Sequence, residues 1–167
     1  MTNHPHTLDA LAAADAAELE EILLEVCSSP RWATAIAEAR PWSDRETLLA
    51  ANSAAMASLT TEDLRDAMAG HARIGKPMAG DATSEREQAG TRGANQAILD
   101  ELHEANAAYE AKFGHVFLIC ATGRTAVGML AALRERHPND AATETEIVRG
   151  ELRKINDIRL NRLLDKS

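Results

Sequence analysis

Aromatic side chains are nearly missing from this chain: two Trp, one Tyr and two Phe among 167 residues, 3% of the total. Sheets favour aromatic and β-branched residues, so this scarcity, set beside abundant Ala, Leu and Glu, argues for helices. Glycine and proline are also sparse, at nine and five, which leaves long stretches free of helix breakers. A positive excess is missing too. Eighteen Lys and Arg face twenty-six Asp and Glu, a net charge of −8 with the signs interspersed, and such a surface has no general attraction for nucleic-acid phosphates or anionic lipid. No apolar run reaches the ~20 residues of a membrane helix. Cysteine occurs only at Cys27 and Cys120, each in an apolar stretch where a thiol acts as a small buried hydrophobe, so both are read as reduced. Residues 1–7, with His4-Pro5-His6, lack a signal peptide's basic and apolar regions, and a cytoplasmic location is expected.

The length suits one core and is short for two domains. The expected fold is therefore all-α: a flexible N-terminus at 1–7, then a single compact helical domain over 8–167 with a long central helix and one short extended segment. Leu19, Ile22, Leu23 and Val26 recur at helical spacing. Ser28-Ser29-Pro30, Ser43-Asp44 and Thr60-Thr61-Glu62-Asp63 read as helix starts. Three glycines and Pro77 make residues 70–81 an irregular loop that follows a helix end and carries His71. From Ser84 the pattern runs to Lys112 with Gly90 and Gly93 as its weak points, so one long helix is predicted, ended by Gly114. Val116 to Cys120 is the one apolar β-branched run, predicted to cross the core extended. Helices at Thr125 to Arg136 and Thr143 to Leu164 follow.

Several chemistries lack their residues. There is no His-x-x-x-His, no Cys-x-x-Cys and no clustered Asp and His pattern, so no metal is expected. Walker, dinucleotide and Gly-x-Ser-x-Gly loops are missing as well. Ser84-x-x-Glu87 has capping-box spacing, and the same first turn would favour an anionic ligand at its free N–H groups. An imidazole is the side chain suited to proton transfer near neutral pH, and His71 beside a carboxylate would serve as acid or base; the plain alternative is a surface histidine. His103 and His137 are read as solvated helix-face and helix-end residues. Arg124 and Arg159 are each read first as surface cations.

These signatures, in order, resemble the 2-oxo-4-hydroxy-4-carboxy-5-ureidoimidazoline (OHCU) decarboxylases of urate breakdown. The resemblance runs from about Leu8 to Leu164. It rests on Cys27-Ser28-x-x-Arg31-Trp32, Arg40-Pro41-Trp42-Ser43, the His71 loop, Ser84-x-x-Glu87-Gln88-x-Gly90, Tyr109-x-x-x-Phe113-Gly114, residues Phe117 to Ala121, and Lys154-Ile155-x-x-Ile158-Arg159-Leu160. It implies an all-helical homodimer that needs no metal or organic cofactor and takes a small ureidoimidazoline. It implies His71 as catalytic acid/base and Arg159 contacting ligand, and Glu87 is then expected to hold His71 or the ring nitrogens in position. Ala72, Ser84, Glu85, Arg86, Glu87, Gln88, Phe117, Leu118, Ile119, Cys120 and Ala121 would line the substrate site. An extended 117–121 segment would offer unpaired backbone groups to a planar, urea-like ring. The family usually has proline after the histidine; Ala72 stands there, without proline's fixed φ. The alternative from another class is a non-catalytic helical interaction module whose acidic surface meets a basic partner. A helix-turn-helix regulator is disfavoured by the acidity and the lack of a basic recognition helix.

Overall fold

The computed structural model describes residues 6–71, 73–74, 86–91 and 93–164. Among these the regular elements are eight α-helices and one 3-10 turn, with no strand. In order they are α1 (Leu8–Ala13), α2 (Ala16–Val26), α3 (Pro30–Glu38), α4 (Arg45–Ser58), α5 (Thr61–Met68), the 3-10 turn (Ala89–Thr91), α6 (Gln96–Phe113), α7 (Ala126–Arg136) and α8 (Ala141–Leu164). The all-α class read from composition is the class observed.

Local chemistry sets the helix starts. Oxygens of Thr7, Asp15, Ser29 and Asp44 accept the first free N–H groups of α1 to α4, and Pro30 occupies the first turn of α3. Thr60 and Asp63 close a reciprocal capping box on α5. No helix of the described residues is long and apolar enough to cross a membrane.

Contacts divide the chain into two compact units, Met1–Gly70 with Leu152–Ser167, and His71–Glu151. In the first, α3 packs against α2, α4 and α5, and Leu19, Leu23, Trp32, Ile36, Leu48 and Leu160 are buried. Its core is not wholly apolar. Asn52, fully buried, accepts from the Trp32 indole at 2.9 Å and donates to Asp157 Oδ1 at 2.8 Å and to the Arg153 carbonyl at 3.1 Å. A buried amide so satisfied fixes one register between α4 and the last turns of α8.

In the second unit α6 packs on α7 around Ile74, Leu102, Tyr109, Phe117, Ile119, Met129 and Leu133. Three of the five aromatic residues meet here, Tyr109 lying 4.5 Å from Phe113 and 5.3 Å from Phe117 between ring centroids. The single helix predicted from Ser84 to Lys112 is interrupted. Arg86 and Glu87 are helical, Gln88 turns, and α6 starts only at Gln96, after an Asn95 cap that accepts the Ile98 N–H at 2.9 Å. Two glycines explain the break. Gly93 sits at φ +76°, which L side chains avoid, and Gly90 lies so close to Arg124 that a Cβ would overlap its carbonyl oxygen. Gly114, at φ +79°, ends α6 as predicted. Residues 116–120 carry no regular structure, and Phe117, Leu118 and Ile119 are buried. His103 is half-buried with its Nε2 out of solvent, and so is not the solvated face residue expected.

Candidate active site

Three short stretches of the second unit hold most of the expected site. His71 opens the unit, half-buried, with Nε2 removed from solvent. The chain just beyond it is pinned to α6. Asn106, buried on the helix face, donates to the Ile74 carbonyl at 2.9 Å, and Arg73 makes a two-pronged contact with Glu110 at 2.6 and 3.0 Å. The Glu110 hydrogen bond, followed by its charge, raises the Arg73 pKa above its already high ordinary value. Asn106 and Glu110 are four residues apart, one helical turn, so a single face of α6 holds residues 73 and 74.

The next stretch meets the first directly. Gln88 Nε2 donates to the Arg73 carbonyl at 3.0 Å, which brings the turn carrying Glu87 and Gln88 to a point two residues beyond His71. Both side chains are buried, Glu87 at 9% and Gln88 at 4% exposure. Thr91 closes the turn by donating to the Gln88 carbonyl through its hydroxyl at 2.8 Å and its N–H at 2.9 Å. Arg86 is exposed. Ala72, Ser84 and Glu85, expected to line the site, lie outside the described residues, as does the start of the Ser84-x-x-Glu87 box.

Gly90 joins this turn to the third stretch through its backbone contact with Arg124. Arg124 is itself tied back to residues 120–121, its N–H to the Ala121 carbonyl at 3.0 Å and its Nε to the Cys120 carbonyl at 3.2 Å. Arg124, read from sequence as a surface cation, is exposed and also braces this loop. The 117–121 segment was expected to offer unpaired backbone groups, and part of that expectation fails. Leu118 C=O accepts from Arg136 at 2.8 Å, and Cys120 N–H donates to Glu151 at 3.2 Å. Among the described residues, Ile119 between them has neither backbone group engaged.

Arg159 belongs to the first unit. It is half-buried rather than a free surface cation, and its Nη1 donates at 2.8 Å to the carbonyl of Val26, the last residue of α2. A cation at a helix C-terminus is favoured by the dipole and the spare carbonyls there. The adjoining Cys27 is buried, and burial pushes its thiol pKa up despite bonds to Ser29 and Asn156 and the Arg159 charge. Its thiolate is scarce at neutral pH. No group of three His, Cys, Asp or Glu side chains is gathered for a metal among the described residues.

A titratable imidazole, a buried carboxylate, a buried amide and a buried loop with open main-chain groups are the parts needed to move a proton on a small polar ring. A family model described as OHCU decarboxylase matches residues 12–161. The chain belongs to the OHCU decarboxylase family. It is 32% identical over 144 residues to the uric acid degradation bifunctional protein TTL of Arabidopsis thaliana, a match covering 82% of this chain. That match spans 44% of the relative, so the chain corresponds to under half of its length. A crystal structure of OHCU decarboxylase in the presence of (S)-allantoin superposes with a TM-score of 0.74 at 30% identity, covering 88% of this chain and 99% of that one. (S)-allantoin synthase superposes with a TM-score of 0.75 at 20% identity over 97% of this chain and 55% of its own, a likeness of fold alone.

The residues that motif reading missed are the braces: Asn106 and Glu110 on the His71 side, and Arg136 and Glu151 on the 117–121 side. A polar Asn106 in helical register with the apolar, buried Leu102 and Tyr109 was the available signal for that brace.

Proposed function

We propose that this chain catalyses the cofactor-independent decarboxylation of OHCU to (S)-allantoin in urate degradation. The observation that carries the reading is the Gln88–Arg73 hydrogen bond, which holds the turn bearing Glu87 against the segment that begins with His71. Family membership and the (S)-allantoin present with the solved relative support the choice of substrate.

The substrate carries its own electron sink. As the bond from C4 to the carboxylate breaks, its electron pair moves toward the ring imine, CO2 leaves, and the imine nitrogen takes a proton. The resulting enol then gains a proton at C5 and loses its hydroxyl proton, so the net reaction consumes one proton. His71 handles the proton on the 4-hydroxyl and the enol, and Glu87 positions the imidazole or the ring nitrogens. Ala72, Ser84, Glu85, Arg86, Gln88 and the backbone of 117–121 bind the ring and its ureido arm. Delivery to one face sets the product's chirality. Arg159 serves best on a ring or ureido oxygen, because gripping the departing carboxylate would favour the ground state, where charge is concentrated, over the transition state. A homodimer in the cytoplasm completes the proposal, and sedimentation would test its first half.

The test generates the substrate in situ from urate and follows optical rotation. Wild-type protein accelerates formation of the S enantiomer, and His71→Asn lowers the rate by ~10²–10⁴, the usual worth of acid/base catalysis. Wild-type turnover in a folded His71→Asn variant would remove the imidazole from the mechanism.

A further inference from the structure

The 117–121 segment is gripped by a buried ionic cluster of the same unit. Arg136 ends α7 and Glu144 lies in the first turn of α8, at 8% and 0% exposure. Glu144 Oε1 accepts from Arg136 Nε at 2.7 Å and from the Tyr109 hydroxyl at 2.6 Å, while Oε2 accepts from Asn139 Nδ2 at 3.3 Å. Arg136 Nη2 also pairs with Glu144 Oε1. The remaining arm, Nη1, donates to the Leu118 carbonyl at 2.8 Å. The guanidinium lies over the Phe117 ring, 4.6 Å from its centroid, and the Tyr109 ring meets Phe117 edge-on at 5.3 Å.

Such a cluster is a poor stabiliser for its complexity. Taking two charges out of water costs about what their attraction returns, and apolar replacements of similar volume are often as stable or more so. What apolar residues lack is direction. A planar guanidinium whose other edge is locked to a carboxylate holds a carbonyl in one orientation, here that of Leu118. With Cys120 N–H held by Glu151, the peptide groups on both sides of Ile119 are fixed and its own remain open. The protonation states suit this role. Burial and then the Glu144 bond raise the Tyr109 pKa and keep it a donor. Burial works to raise Glu144, but bonds from Arg136 and Tyr109 outweigh it and hold the carboxyl below its ordinary range.

We propose that Arg136, Glu144 and Tyr109 are positioning residues for the decarboxylation, acting through the Leu118 carbonyl and the Phe117 ring to fix the main-chain groups that meet substrate. The proposal rests on the reading that 117–121 lines the substrate site. Arg136→Met combined with Glu144→Leu tests it, because the pair removes both charges and keeps apolar volume. The measurements are Tm, kcat, KM and amide hydrogen exchange at 117–121 with and without (S)-allantoin. Wild-type protein is expected to show allantoin protection at these amides. The double variant, which leaves the buried Tyr109 hydroxyl and Leu118 carbonyl without these partners, is expected to fold with a lowered Tm and, assayed below that Tm, to lose the protection and ~10²-fold in kcat/KM, the scale of a 1 Å misplacement. Wild-type kcat and KM in the folded double variant would overturn the positioning role and leave the site reading intact. Absence of protection in wild-type protein would overturn the site reading and this proposal with it. Should the double variant not fold, Tyr109→Phe keeps the buried ring and removes one donor. A purely structural hydroxyl would then lower Tm and leave kcat and KM of the folded enzyme unchanged, which overturns the proposal; a fall of ~3-fold or more in kcat/KM below Tm, of the order of a weakened hydrogen bond, supports it.

Discussion

Gly90 is the joint between the turn that carries Glu87 and Gln88 and the loop that follows residues 117–121. A methyl group placed there would overlap the Arg124 carbonyl oxygen and lie 2.7 Å from the Arg124 carbonyl carbon. The oxygen is the tighter contact, 1.6 Å from the added carbon where real contacts stay above 3.0 Å, so the two backbones must part by about 1.4 Å. No flexible side chain lies between them to absorb it, since the clashing atoms are main chain. Overpacking of this kind costs ~1–3 kcal/mol, or a fall in Tm of about 2–12 °C at 2–4 °C per kcal/mol for a chain of this size. The larger effect is expected on turnover, because a displacement of ~1 Å in a positioned site costs ~10²-fold. Gly93→Ala is the matched control. It meets no atom within 4 Å but must hold φ +76°, which costs ~1–2 kcal/mol without moving the turn toward Arg124. Gly90→Ala is therefore expected to lose activity far beyond its loss of stability, and Gly93→Ala to lose stability with kcat nearly intact, by optical rotation and thermal melts on both. Equal kinetics in the two variants would refute the claim that this backbone contact sets the site.

Glu87→Gln keeps shape and capping capacity while removing charge; a kcat loss of ~10-fold or more with Tm within about 4 °C is expected, and full activity with an unchanged Tm would leave only the cap. Arg159→Lys keeps the charge but not the planar fork. If Arg159 also holds substrate oxygens, (S)-allantoin affinity by calorimetry drops ~10-fold, whereas a guanidinium serving Val26 alone would leave affinity unchanged. Acid should unfold the protein through Glu144: its carboxyl is held below the ordinary range, so its contribution is complete above about pH 4.3 and fades as pH falls through the folded-state value. Glu144→Gln is then expected to flatten the decline of Tm below about pH 4.3, and an unchanged acid profile would contradict the shift.

The helix starts were legible in the sequence because a cap is local. Ser29 with Pro30, Asp44, and Thr60 with Asp63 each act within four residues, so side chain and backbone partner are read together. The stop at Gly114 is local for the same reason. The break before α6 was not, although both glycines stood in plain view. What packs against the turn at Gly90 is the backbone of Arg124, thirty-four positions away, and spacing along one segment carries no sign of a second segment's backbone.

The site divides along the same line. His71, Glu87 and Gln88 are recognisable from residue type and order, because proton chemistry demands particular groups. The braces are generic residues made specific by burial. Arg136 lies in a run of alternating charges, Leu133-Arg134-Glu135-Arg136-His137, where either arginine would pass for a solvated helix end. Arg134 is that residue, exposed and paired with Glu101 at 3.1 Å, while Arg136, two positions on and so across the helix, is buried against Glu144. A rotation of about 200° separates the two directions. The helical face that meets residues 117–121 therefore decides which of two chemically identical side chains orients the Leu118 carbonyl, and that face is fixed only when α6 and α7 pack.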